Sequence, residues 1–206
     1  MKNKIKKTLL KLKRKKYASK IKNNISIISN DCCAGCIYSD VGMKFLSPTI
    51  NLYIKGEDFV RFIDNLNIYI NLDLKEQKDN EKEYPIGILD DEKHGIVKIE
   101  FVHYKSFEDA KIKWDERKKR IDFNRILVLF HVNDENIKFV GDILKSKYNK
   151  RIIAYRNQKI DKNDNVIFIK RLKKFVPAKI LKTRKITGKR FLEEINYVSL
   201  FNDIYM

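Results

Sequence analysis

The chain has 206 residues, enough for one sizeable domain or two small ones, and 43% of its residues are hydrophobic, as in ordinary globular proteins. No apolar run approaches the roughly 18 residues of a membrane-spanning helix, and lysines interrupt the first apolar residues too often for a secretory signal. These patterns argue against an integral membrane protein and a secreted protein, and we expect a cytoplasmic protein.

The formal net charge of +18 is concentrated in two flanks. Residues 1–22 hold 11 basic and no acidic residues, residues 143–190 hold 17 basic and 2 acidic residues, and residues 23–142 carry a net charge of −5. Basic flanks attract nucleic acid, an anionic membrane surface or phosphorylated substrates. Nucleic acid is the least favoured partner, because the flanks are mostly lysine without interleaved arginine and aromatic residues. Compositional drift towards Lys, Asn and Ile, with no partner, is the alternative.

Segment 3–21 is predicted to be a basic amphipathic helix. The apolar residues assigned to one of its faces are Ile5, Leu9, Leu12 and Tyr17. This helix would lie on a membrane surface, or it would dock on the rest of the protein as a solvated helix. We therefore divide the chain into an N-terminal helix, residues 1–22, and a single α/β domain, residues 23–206.

The first strand is predicted at 25–29, and it ends abruptly in small, polar and thiol side chains. Ligands of α/β proteins bind just beyond the carboxyl ends of such strands. Ser29 and Asn30 are therefore candidates for substrate binding, and the Asp31 carboxylate is a candidate catalytic group. A strand followed by an Asx-type turn is the alternative interpretation.

Three cysteines, Cys32, Cys33 and Cys36, follow this strand. A zinc site usually has a second pair of Cys or His ligands elsewhere in the chain. No further cysteine follows here, and the three histidines form no closely spaced pair. A thioredoxin-like use of Cys33 and Cys36 would require a helix to begin after the strand, which the sequence allows. We favour buried small residues and expect no metal site.

Helical and extended patterns alternate through the rest of the chain. In chain order, the predicted elements are a helical turn at 36–42, an extended segment at 50–54, a helix at 56–70, a charged surface loop at 73–83, a β-hairpin of strands 85–89 and 96–102, a helix at 106–120, a strand at 126–132, a helix at 133–148, strands at 151–155 and 166–169, and a helix near 187–195. This order predicts an α/β fold with a mainly parallel sheet flanked by helices, with the strand at 126–132 in its centre.

A second polar strand end occurs where the strand at 96–102 meets the following helix. His103 is a candidate catalytic base because imidazole titrates near neutral pH, although a histidine at a strand end often has a structural role. Ser106 is a suitable N-cap, and the helix start next to Lys105 is a candidate anion site.

The same helix carries three further candidates for substrate binding, Trp114, Arg117 and Arg120. The two guanidinium groups are i, i+3 neighbours and suit a diphosphate or a carboxylate. A solvated helix face is the alternative.

Three segments of the chain together resemble one known family. They are Ser29-Asn30-Asp31-Cys32-Cys33-Ala34-Gly35, Phe45-Leu46-Ser47-Pro48-Thr49-Ile50-Asn51-Leu52-Tyr53-Ile54, and His103-Tyr104-Lys105-Ser106-Phe107 with Trp114, Arg117 and Arg120. Over about residues 23–175 the chain resembles the DUF1919 family, bacterial proteins labelled as exopolysaccharide biosynthesis proteins and found among capsule and surface-polysaccharide genes. The resemblance implies an α/β fold and that genomic context, but no established reaction. The family usually has an aromatic residue and a second glycine where this chain has Cys33 and Ala34.

Two functions follow as expectations. The first is a glycosyltransferase-like transferase of exopolysaccharide or capsule biosynthesis, acting on a sugar linked to a nucleotide or lipid diphosphate. In it, His103 and Asp31 are catalytic and the remaining candidates bind substrate, while the basic helix keeps the enzyme at the inner face of the membrane. The second is a non-catalytic accessory or scaffold protein of the same pathway, which the lack of recognised nucleotide-binding and hydrolase motifs favours. No cofactor is specified.

Overall fold

The structure is a computed structural model that describes residues 2–174, 176, 180–181 and 190–203. The helices and strands of these residues are, in chain order, α1 (Lys2–Ala18), β1 (Ser26–Ser29), α2 (Cys33–Val41), α3 (Gly56–Asp64), α4 (Leu66–Asn71), β2 (Lys75–Gln77), β3 (Ile86–Asp91), β4 (Gly95–Glu100), α5 (Phe107–Lys118), β5 (Ile126–His131), a 3₁₀ helix (Ile137–Phe139), α6 (Val140–Lys145), β6 (Asn149–Tyr155), β7 (Val166–Ile169), a second 3₁₀ helix (Phe191–Glu194) and α7 (Tyr197–Asn202).

Four parallel strands form the main sheet in the order β1-β5-β6-β7. All residues of β5 are buried, as expected for an apolar strand covered on both faces. Val128 and Phe130 join a core formed with α3 to α6 and a smaller sheet. Leu127 and Leu129 point the other way, into a core formed with α2, the second 3₁₀ helix and α7. The predicted α/β fold and the central position of this strand are confirmed.

The smaller sheet is antiparallel and has the order β2-β3-β4. Its β3–β4 hairpin confirms the predicted hairpin at 85–102. The prediction of a loop throughout 73–83 is wrong, because Lys75–Gln77 pairs with β3. All three residues of β2 are exposed, so this strand carries none of the apolar alternation that marks a strand in a sequence.

Side-chain hydroxyls cover the outer edge of β1. The Tyr38 hydroxyl accepts a hydrogen bond from Ile27 N at 2.8 Å and donates to Ile25 O at 2.7 Å. Thr49 Oγ1 accepts from Ser29 N at 3.0 Å. These bonds satisfy backbone groups that an edge strand would otherwise leave unpaired. The Ser-Pro-Thr part of the second family-like segment therefore has a structural role.

Asparagine side chains shorten two predicted helices. The helix at 56–70 is interrupted at Asn65, whose side-chain amide donates to a backbone carbonyl one turn earlier. In the region 133–148, Asn133 and Asn136 each accept a hydrogen bond from the other's backbone amide at 2.8 Å. This turn delays the helix, so only the first 3₁₀ helix and α6 form.

Two other helices differ from their predicted bounds. α2 begins at Cys33, earlier than the helical turn predicted at 36–42, and it ends at Gly42, where φ is 77°. Of the helix predicted near 187–195, the described part contains the second 3₁₀ helix, and residues 187–189 lie outside the described residues. The extended segment at 50–54 makes an isolated antiparallel bridge through Tyr53 to β4.

α1 docks on the protein through one of its sides. Lys13 forms ion pairs with Asp40 and Glu193 at 3.1 and 2.9 Å, and the Tyr17 ring contacts the Tyr197 ring. Tyr17 therefore does not share the outward face of the two other described apolar residues predicted for that face, Leu9 and Leu12, which are 52% and 59% exposed. Among the described residues, no helix is long and apolar enough to cross a membrane.

Candidate functional site

The candidate site lies where two adjacent parallel strands end. β1 is followed by Asn30 and Asp31, and β5 ends at His131. The Asn30 side chain accepts from His131 N at 2.8 Å and donates to His131 O at 3.1 Å. This pair of bonds extends the pairing of the two strands and fixes His131 beside Asp31.

His131 lies between two polar side chains. One ring nitrogen, Nδ1, contacts a carboxylate oxygen of Asp31, and the other, Nε2, contacts the hydroxyl of Tyr155 at the end of β6. The His131 side chain is 1% exposed and that of Asp31 is 13% exposed. Asp31 is therefore the more exposed member of this pair.

The Asp31 carboxyl is held in its ionised form. Burial alone would raise its pKa, but the charge and hydrogen bond of His131 and the hydrogen bond from Cys33 N lower the pKa below its ordinary value. The Ser29 hydroxyl donates to Asp31 O at 2.6 Å and fixes the backbone of the turn. Asp31 is thus a preorganised carboxylate at neutral pH.

The three cysteines have protonated thiols. Burial and the nearby Asp31 charge raise the pKa of Cys32 to about 12 and that of Cys33 well above its ordinary value. Burial also raises the pKa of Cys36. Cys33 Sγ lies 3.5 Å from His131 Nδ1. Because a thiolate is the reactive form, these thiols are weak nucleophiles as they stand.

A cavity of about 710 Å³ opens above Asp31 and His131. Its size falls in the range typical of pockets for small molecules. The described residues that line it are Asn30, Asp31, Cys32, Leu52, Tyr53, Val102, His103, His131, Asn133, Asp134, Glu135 and Leu181. The lining combines apolar walls with amides, imidazoles and three carboxylates, and no lysine or arginine occurs among these described lining residues.

The structure brings together three of the residues predicted from the sequence. Asn30, Asp31 and His103 line the cavity, and Ser29 lies buried directly beneath Asp31. Lys105 and Ser106 lie instead beside a separate cavity of about 420 Å³ near β2. Ser106 also caps α5 by accepting from Asp109 N at 3.2 Å.

The other predicted residues lie in packing contacts and outside the lining of the 710 Å³ cavity. Arg117 donates to the Tyr104 hydroxyl at 2.6 Å and lies over the Phe45 ring. Arg120 donates to Phe45 O at 3.3 Å. Trp114 is buried in the core that includes α3 and α4. The two arginines thereby hold α5 against the segment that carries the Ser-Pro-Thr motif.

His131 and Tyr155 are not among the site residues predicted from the sequence. His131 lies within the apolar run 126–132, and Tyr155 ends the strand predicted at 151–155. The rule applied to Ser29 and His103, that polar residues at strand ends mark sites, would have identified both.

Comparisons with known proteins extend the family-like region to nearly the whole chain. A family model described as "Domain of unknown function (DUF1919)" matches residues 2–202, including α1. A protein of Haemophilus influenzae, described as an uncharacterized protein, is 29% identical over 183 residues, which is 86% of this chain and 84% of the relative.

Proposed function

The chain belongs to the DUF1919 family, and from the geometry of its site we propose that it is a glycosyltransferase-like enzyme of exopolysaccharide or capsule biosynthesis. Its substrate would be a sugar linked to a nucleotide or lipid diphosphate. The observation that carries the proposal is the position of the Asp31 carboxylate, which contacts His131 at the wall of a cavity of about 710 Å³ beyond the ends of β1 and β5.

In the proposed reaction, Asp31 takes the proton from an acceptor hydroxyl. The acceptor oxygen then forms a bond to the anomeric carbon of the sugar, and the bond from that carbon to the diphosphate oxygen breaks. The electron pair of the broken bond leaves with the diphosphate. General base catalysis of this kind contributes about 10²- to 10⁴-fold to a rate. His131 acts as a positioning residue, since its ring nitrogens contact Asp31 and Tyr155.

His103 has a second proposed role in the same cavity. It lines the cavity together with Asp31, so one bound substrate can contact both side chains. An imidazole beside the leaving diphosphate would donate a hydrogen bond to the oxygen that gains charge. Asn133, which also lines the cavity, offers an amide to sugar hydroxyl groups.

α1 supports the proposed location at the inner face of a membrane. Its docked side uses Lys13 and Tyr17, which leaves Leu9 and Leu12 exposed among lysines. Residues 1–22 contain no acidic side chain that would repel anionic lipid. Helices with exposed apolar residues and basic neighbours bind anionic membrane surfaces. Such binding would hold the protein at the membrane that contains a lipid-linked substrate.

Surface polymer made by cells tests the proposal. Cells that lack the gene are given a copy that encodes the wild type, Asp31→Asn, His103→Ala or the control Asp142→Asn. The control makes the same change at an exposed carboxylate of α6. We expect polymer to be lost with Asp31→Asn, reduced with His103→Ala and normal with the control, at equal protein levels. Normal polymer with both site variants would contradict the enzyme and favour the accessory or scaffold protein.

A further inference from the structure

We propose that Asp31, Cys33 and His131 bind a zinc ion at the wall of the cavity. Their ligand atoms, a carboxylate oxygen, the thiol sulfur and a ring nitrogen, all lie within 4.8 Å of one another. The proposal rests on the proposed function in one respect, because it names the ion that would assist that reaction. Zinc binding itself can be measured without a substrate.

The three donor types favour zinc over the harder divalent cations. Thiolate and imidazole are characteristic zinc ligands, whereas Mg²⁺ and Ca²⁺ prefer oxygen ligands alone. Three protein ligands with a fourth position open to solvent are the pattern of catalytic zinc sites. Asp31 and His131 both line the cavity, so the open position would face it.

Tyr155 supplies the outer contact that histidine ligands usually have. The hydroxyl of Tyr155 contacts His131 Nε2, and a hydroxyl group can accept as well as donate a hydrogen bond. When it accepts from Nε2–H, the ring presents Nδ1 to a cation, which is the nitrogen next to Asp31 and Cys33.

The charge of the cavity provides a second argument. Its described lining includes the carboxylates of Asp31, Asp134 and Glu135 and no lysine or arginine. A diphosphate would meet repulsion there, and a bound dication would remove it. As zinc binds, the Cys33 S–H bond breaks, the sulfur binds the ion and the proton passes to solvent. In the loaded enzyme one carboxylate oxygen of Asp31 would hold the zinc, which would polarise a diphosphate oxygen, and the second oxygen of Asp31 would take the acceptor proton.

A cobalt titration of the full-length protein, first freed of metal with a chelator, tests the site. Co²⁺ occupies zinc sites and reports a bound thiolate by a near-ultraviolet charge-transfer band. We expect the wild type to develop this band at about one ion per chain and to lose it when Zn²⁺ is added. Cys33→Ser should lose the band. The control Cys36→Ser, which changes a cysteine of the same helix outside the cluster, should keep it.

Failure to bind cobalt or zinc in the folded wild type would overturn the site, whatever the Cys33 variant does. A band that persists in Cys33→Ser would also overturn it. The outcome is separable from that of the proposed function. Metal binding with normal polymer from both Asp31→Asn and His103→Ala keeps the site and contradicts the transferase, whereas polymer loss without metal binding keeps the transferase and contradicts the site.

Discussion

Asn30 and His131 form a reciprocal pair: the side chain of Asn30 accepts from His131 N at 2.8 Å and donates to His131 O at 3.1 Å. The two residues are 101 positions apart in the chain: Asn30 follows β1, and His131 is the last residue of the neighbouring strand β5. The pair aligns the ends of β1 and β5 and thereby sets the contact between His131 and Asp31. Asn30 was expected to bind substrate, but its described contacts give it this structural role as well.

Replacing Asn30 with alanine should therefore destabilise the fold. The change removes both bonds to His131 and leaves a buried backbone N–H without the Asn30 oxygen, at a cost of about 1–3 kcal/mol in the free energy of unfolding. Urea denaturation measures this loss. The control Asn67→Ala, on the exposed face of α4, should change stability by less than about 0.5 kcal/mol. Equal stability of the two variants would refute the role of Asn30.

The covered edge of β1 leads to a second prediction. Tyr38→Phe keeps the ring in its core and removes the hydroxyl that bonds Ile27 N and Ile25 O. We expect a loss of about 1–3 kcal/mol in the free energy of unfolding, because the amide of Ile27 is buried. The same change at the half-buried Tyr148 is the control, with a small expected effect. A loss of unfolding free energy no greater than that of the control would show that the hydroxyl bonds of Tyr38 do not stabilise the edge strand.

The proposed membrane contact can be measured with vesicles. Changing Leu9 and Leu12 together to serine should weaken binding to phosphatidylglycerol vesicles at least about tenfold. Two leucines that become partly buried in the membrane contribute more than about 1.4 kcal/mol to binding. Binding to neutral phosphatidylcholine vesicles should be weak for every variant. Phe123→Ser removes an exposed apolar side chain outside α1 and should bind as the wild type does. Unchanged binding by the Leu9 and Leu12 variant would exclude this face as the contact.

The lowered pKa of Asp31 makes stability depend on pH in a defined direction. In the unfolded chain Asp31 titrates near its ordinary value of 3.8, and in the folded chain it titrates below that value. Ionised Asp31 therefore contributes its full stabilisation at pH values above its unfolded pKa. This contribution is lost as the pH falls from that value through the folded pKa. In metal-free protein, the stability difference between wild type and Asp31→Asn should be larger at about pH 7 than at about pH 3. Urea denaturation at both pH values checks the sign, and a difference that grows in acid would contradict it.

The sequence was informative where residues act locally. The apolar run at 126–132 identified the central strand, and Ser106 identified the start of α5 correctly. Asp31 was predicted as a site residue because polar residues follow its strand directly. Such signals depend on neighbours in the chain, so they can be read without the fold.

Other roles depend on distant parts of the chain meeting. Thr49 covers the edge of β1 across 20 residues, and Arg117 contacts Phe45, so neither role is visible locally. In the sequence, His131 resembles an ordinary strand residue, because Asp31, which contacts it in the fold, is 100 residues away along the chain. The basic residues of α5 were predicted to bind phosphate. A basic residue that packs against an aromatic ring gives the same sequence pattern, so the sequence does not distinguish the two roles.

The release of the diphosphate leaving group from a panel of nucleotide sugars and lipid-diphosphate-linked sugars, with membranes as the source of acceptor, tests the central claim that Asp31 is the reacting carboxylate. The wild type and Asp142→Asn should release it at equal rates from at least one sugar of the panel. Asp31→Asn, folded as judged by circular dichroism, should be slower by at least about 100-fold. Release by Asp31→Asn at the wild-type rate, or no release by the wild type with any sugar of the panel, would contradict the claim.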